Sequence, residues 1–93
     1  MADPTECLMA GAKVNDMFNK VLNDGYIDHS VINSLRSAVK ACNGCVKDSK
    51  HNKFAIADVM KELQTADRLD GLGNVTEALQ HVLGANTSWL AVK

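Results

Sequence analysis

Residues 28–47 read DHSVINSLRSAVKACNGCVK, and the spacing of their apolar side chains decides what kind of chain this is. Val31, Ile32, Leu35, Ala38, Val39, Cys42, Cys45 and Val46 recur at steps of three and four, the period of one face of an α-helix, with Arg36, Lys40, Asn43 and Lys47 on the opposite side. Asp28 stands ahead of the stripe as an N-cap, an acceptor for amide hydrogens that a first helical turn cannot satisfy by itself. Ile27 and Ile32 occupy the positions of a hydrophobic staple. The spacing predicts a helix that begins at Asp28 and carries Cys42 and Cys45 in its last turns.

The same grammar extends in both directions. Upstream, Asp3-Pro4-Thr5-Glu6 combines a cap, a proline where no amide hydrogen is missed, and a carboxylate three residues after the cap. Val14, Met17, Phe18 and Val21 continue that helix, and Gly25 supplies a left-handed stop. Downstream, the polar residues 48–52 read as a loop. Phe54 stands at the entrance of a third helix along Ile56, Val59, Met60, Leu63 and Ala66, which breaks at Gly71 and Gly73. Asn74-Val75-Thr76-Glu77 repeats the capping pattern and opens a short fourth helix whose stop is expected at Gly84, followed by the tail ANTSWLAVK. The expected fold is all-α: a small four-helix bundle made of two helix-loop-helix units with a short C-terminal helical turn, one domain over residues 1–93.

Composition narrows the function classes. The chain is 46% hydrophobic and 23% charged, near the average for soluble globular proteins, and no apolar run is long enough to span a membrane. Ten basic and eleven acidic residues leave a net charge of -1, so no global field gathers phosphate backbones or anionic lipid. Nucleic acid and membrane are therefore not the expected partners. Three cysteines, an odd number, fit reduced thiols and a cytoplasmic setting better than a secreted disulfide framework.

Cys42-Asn43-Gly44-Cys45 is the one motif with chemistry in it. A redox pair needs its reactive thiol at a helix N-terminus, whereas these two fall near a C-terminus, where the macrodipole disfavours thiolate. Their phase with Leu35, Ala38 and Val39 makes both small core residues. The competing reading is a metal- or thiol-dependent regulator in which Cys7, Cys42, Cys45 and His51 form a four-ligand site. Asp28-His29-Ser30 has the letters of a hydrolase triad, but neighbours on a helix point about 100° apart and cannot relay a proton. No phosphate loop, nucleophile elbow or zincin motif occurs, so no enzyme, cofactor or bound metal is expected.

The stretch Asn23-Asp24-Gly25-Tyr26-Ile27-Asp28 resembles the loop of a calmodulin-type EF-hand, with Gly25 at its sharp turn. Counted from there, the first, third and twelfth loop positions are Lys20, Leu22 and Val31, none with a carboxylate. The resemblance therefore implies a calcium-free, degenerate subunit of the myosin light-chain kind. The main expectation is a non-catalytic interaction or adaptor module that binds an amphipathic partner helix, or self-associates as a homo-oligomer, through an apolar groove between helix pairs. Trp89, Met9 and Phe54 are the candidate apolar contacts, Trp89 either docked on the bundle or presented as an anchor, and Arg36, Lys40 and Lys47 form a basic face to steer the partner.

Overall fold

The computed structural model of the chain describes residues 4–93; the expected cap at Asp3 lies outside the described residues. Four α-helices follow in order, α1 (Pro4–Asp24), α2 (His29–Ala41), α3 (Lys50–Gly71) and α4 (Val75–Leu90). Each packs on the next and α4 packs back on α1, so the helices close a ring around one core, with α3 against α4 the most extensive contact. Short connections between packed neighbours make the bundle antiparallel throughout.

The turns that set this geometry follow from local chemistry. Gly25 adopts φ 63°, the left-handed conformation a side chain resists, and its N–H donates to the Val21 carbonyl at 3.0 Å to end α1. Three residues later Asp28 Oδ1 accepts the Val31 N–H at 2.7 Å and starts α2. The core is filled by Val14 and Phe18 of α1, Ile32, Leu35 and Val39 of α2, Val59 and Leu63 of α3, and Val82 of α4, all fully buried. Ala66 on α3 with Ala78 and Ala85 on α4 are also fully buried, on the two helices with the most extensive contact, where small side chains permit close approach.

Three boundaries differ from the sequence reading. α2 stops at Ala41 and does not run to Val46. Residues 42–46 form tight turns, closed by the Asn43 N–H on the Lys40 carbonyl at 3.1 Å and the Cys45 N–H on the Cys42 carbonyl at 2.9 Å. Asn43-Gly44 is turn chemistry, and it overrides an apolar spacing that would otherwise extend the helix. α3 begins inside the expected loop, because the Ser49 hydroxyl caps the Asn52 N–H at 3.1 Å.

The third difference is at the other end. Gly84 does not stop α4, which continues to Leu90 and absorbs most of the expected tail. A Cβ at Gly84 would lie 2.8 Å from Glu62 Oε2, so the glycine makes room for a carboxylate from α3 and is not a terminator. That carboxylate in turn meets His81 Nδ1 at 3.0 Å, and Ser88 hydrogen-bonds Asp58, so a polar seam runs along the α3–α4 surface.

Candidate functional site

The apolar groove of the molecule lies where the N-terminal half of α1 meets the end of α4 and the 42–46 turns, with a volume of about 770 Å³. Cys7, Leu8 and Gly11 come from α1, Cys42 and Cys45 from the turns, and Trp89 and Leu90 from α4. Leu8 and Leu90 are 77% and 68% exposed, an unusual degree for leucines on a packed bundle, and they stand on either side of the groove. It lies between one helix of each sequential pair.

Cysteine chemistry in this groove differs from both sequence readings. Cys7 and Cys45 are joined in a disulfide, with their Cα atoms 5.3 Å apart, so Cys45 is not a free core thiol and neither sulfur is available to a metal. The fourth proposed ligand is engaged elsewhere: His51 Nε2 donates to the Ala91 carbonyl at 2.7 Å. Among the described residues no group of three or more His, Cys, Asp or Glu side chains could hold a metal ion. Cys42 keeps its free thiol inside the core, as its phase with Leu35 and Val39 requires, and burial pushes that thiol above its ordinary value.

Trp89 takes the docked alternative. It is 8% exposed, and its indole N–H donates to Asn15 Oδ1 at 2.8 Å, so it forms groove wall and core together and is not a projecting anchor. The other candidate residues are dispersed. Met9 is exposed on α1 beside Leu8 but outside the groove lining. Phe54 is exposed on α3, with Lys50 Nζ 5.9 Å from its ring centroid. Lys40 and Lys47 are exposed on and after α2, whereas Arg36 is half-buried, its Nε enclosed without a hydrogen-bond partner, so the basic face expected of these three is incomplete at Arg36. None of these three lines the apolar groove.

Asn52, assigned by sequence to a polar loop, is the one buried polar side chain among the described residues. Its Nδ2 donates to the Lys47 and Lys93 carbonyls at 2.8 and 3.0 Å, and its Oδ1 accepts the Lys93 N–H at 2.9 Å. It therefore clasps the end of the chain onto α3 and holds Val92 and Trp89 against the groove. The only sequence signal was Ser49 three residues before it, the spacing of a helix cap.

A second groove, more polar and about 820 Å³, separates α1 from α2 and is lined by Lys13, His29, Ser30, Asn33, Ser34 and Ser37 among others. His29 does find a carboxylate, but in space and not in sequence: Nδ1 donates to Asp67 on α3 at 2.8 Å. Its Nε2 accepts from the Asn33 amide at 2.9 Å, so no serine hydroxyl completes a relay. Asp28, the third letter of the sequence triad, is committed to capping and to the Tyr26 hydroxyl, 2.9 Å away.

The EF-hand resemblance does not survive the geometry. α1 extends through Asp24 and α2 starts at His29, leaving residues 25–28 where a calcium loop needs twelve positions; residues 72–74 are shorter still. No described helix is long and apolar enough to cross a membrane. No protein-family model, no curated protein and no solved structure matches this chain, so the four-helix bundle and its α1–α4 groove stand on their own physical chemistry.

Proposed function

We propose that the chain is a non-catalytic interaction module that captures one amphipathic helix in the groove between α1 and α4. The observation that carries this reading is the pair Leu8 and Leu90, exposed on the two sides of an apolar groove whose lining includes Trp89, Cys7 and Cys45. A helix laid there would cover both leucines with side chains at i, i+3/i+4 and i+7. The groove walls are tied by a disulfide and by the Asn52 clasp, which supports a preformed site that pays little ordering entropy on binding. The disulfide also supports a compartment in which such bonds persist, in place of the cytoplasm expected from three reduced thiols.

The test is selection from a displayed library of amphipathic helical peptides against the folded chain, with the Leu8→Lys/Leu90→Lys double variant as counter-target. Enrichment of peptides with a 3–4 apolar repeat that bind the wild type and lose at least about tenfold in affinity for the variant supports the proposal. Peptides that bind both proteins equally, or no enrichment, overturn it. Self-association through the same groove would appear as a concentration-dependent mass that the double variant abolishes.

A further inference from the structure

We propose that the three cysteines form a thiol–disulfide exchange site in which Cys45 is shared between two partners, Cys7 in the pairing described above and Cys42 in an alternative pairing inside the 42–45 turn. This concerns the chemistry of the groove wall and does not depend on helix capture. Cys7, Cys42 and Cys45 all line the same groove. The Cys45 N–H on the Cys42 carbonyl at 2.9 Å closes a four-residue turn. Such a turn brings its first and last Cα atoms within about 7 Å, close to the upper limit of the span a disulfide bridges. Cys45 is thus within backbone reach of Cys42 as well as bonded to Cys7, whose Cα lies 5.3 Å away.

The exchange balances without any external oxidant. Cys42 gives its proton to water, and the resulting thiolate attacks Sγ of Cys45. The Cys45–Cys7 bond breaks, and its electron pair leaves on Cys7 Sγ, which takes up a proton. One disulfide is lost and one formed, and one thiol is consumed and one released.

Position gives the exchange a direction and a gate. Cys7 ends the first turn of α1, where the partial positive charge of the helix N-terminus stabilises a departing thiolate. Cys42 is 2% exposed and caps the C-terminus of α2, so burial and the helix dipole together keep the attacking sulfur protonated until the 42–49 connection opens and unwinds that end. Of the segments between helices it is the longest, and a segment without regular helix opens at lower cost than the helices it joins. Exchange would release α1 from its covalent tie to that connection and leave a reactive thiol at Cys7 on the groove rim. A small thiol would trigger the same result by attacking Cys45 Sγ of the half-buried bond, expelling Cys7 as a thiol, after which Cys42 attacks Cys45 Sγ and the small thiol leaves.

The experiment uses the native full chain with and without substoichiometric reduced glutathione, followed by acid quench, alkylation and tryptic mapping. Cleavage after Lys13, Lys40 and Lys47 separates a peptide carrying Cys7 from one, residues 41–47, carrying Cys42 and Cys45. The described pairing gives a cross-link between the two peptides with Cys42 alkylated. The exchanged pairing gives an internal disulfide within residues 41–47 and alkylated Cys7. Glutathione should raise the second species at least about tenfold, and Cys42→Ser should abolish it. If alkylated Cys7 appears only in molecules whose Cys45 is also alkylated or glutathionylated, or if the internal disulfide never forms, the proposal is wrong. Cys42 is a core residue, so circular dichroism must show that the variant is folded; the wild-type mapping decides the matter even if it is not.

Discussion

Replacing Asn52 by leucine tests how the C-terminal segment is held. Leucine has the same branched heavy-atom skeleton and is somewhat larger, so the substitution removes the hydrogen bonds without opening a cavity, and any crowding against the atoms they held adds to the loss. Three are lost: two donated by Nδ2 to the Lys47 and Lys93 carbonyls and one accepted by Oδ1 from the Lys93 N–H. At about 1 kcal/mol net for each, less some recovery as the Lys93 backbone turns to water, the loss is roughly 2–3 kcal/mol. In a domain of this size that corresponds to a fall in melting temperature of roughly 10–20 °C. Thermal melts followed by circular dichroism measure the fall, and amide hydrogen exchange locates it, since protection at Val92 and Lys93 should vanish while that of α2 persists. Asn52→Asp should be worse than Asn52→Leu, because it faces a carboxylate toward two carbonyl oxygens. A Tm within about 2 °C of wild type with the tail amides still protected would refute the clasp.

Other consequences can be checked separately. The Cys7→Ser/Cys45→Ser double variant removes a cross-link between residues 38 apart in sequence, which the chain-entropy relation values at about 4 kcal/mol; urea unfolding that shows a loss below about 1 kcal/mol would contradict it. Trp89 is the only tryptophan and is 8% exposed, so its emission should be blue-shifted and poorly quenched by acrylamide, and Asn15→Ala should red-shift it without unfolding the chain. The Asp28 carboxyl is held below its ordinary value of 3.8, first by the Val31 N–H and then by the Tyr26 hydroxyl. A depressed folded value means that its contribution is complete above about pH 5, falls as pH drops past the ordinary value of 3.8, and is lost by the lower folded value. Asp28→Ala should therefore be destabilised at pH 6 and should lose less stability on acidification than wild type, as read by urea titrations at the two ends of that window.

Legibility in the sequence followed locality. The Asp28 cap, the Gly25 turn and most of each helix's apolar face depend on residues within one or two turns and were readable from spacing, but Leu8 and Leu83, in phase with the inward stripes of α1 and α4, are 77% and 54% exposed. Two errors came from local signals that compete: Asn43-Gly44 breaks a stripe that stays in phase across it, while Gly84 interrupts nothing. The continuing steps Ala78, Val82, Ala85 and Trp89 were the sign that α4 runs through. The groove was the least accessible feature. Its disulfide joins residues far apart in sequence, its exposed leucines are distinguished from buried ones only by where α1 meets α4, and the tail's anchor was a polar residue in an apparently polar loop. Composition favoured reduced thiols because an odd count leaves one unpaired; the structure pairs two and buries the third.

Both ends of the described chain are fastened to one short piece of backbone, Cys7 to Cys45 through sulfur and Lys93 to Asn52 through hydrogen bonds. Tension applied between those ends would travel across residues 45–52 and bypass the long helices. The first thing to yield under load would be the Asn52 attachment, shedding the last residues while the covalently looped body stays shut. The bundle is thus mechanically asymmetric: it peels from its carboxyl side and resists from its amino side for as long as the sulfur link is intact.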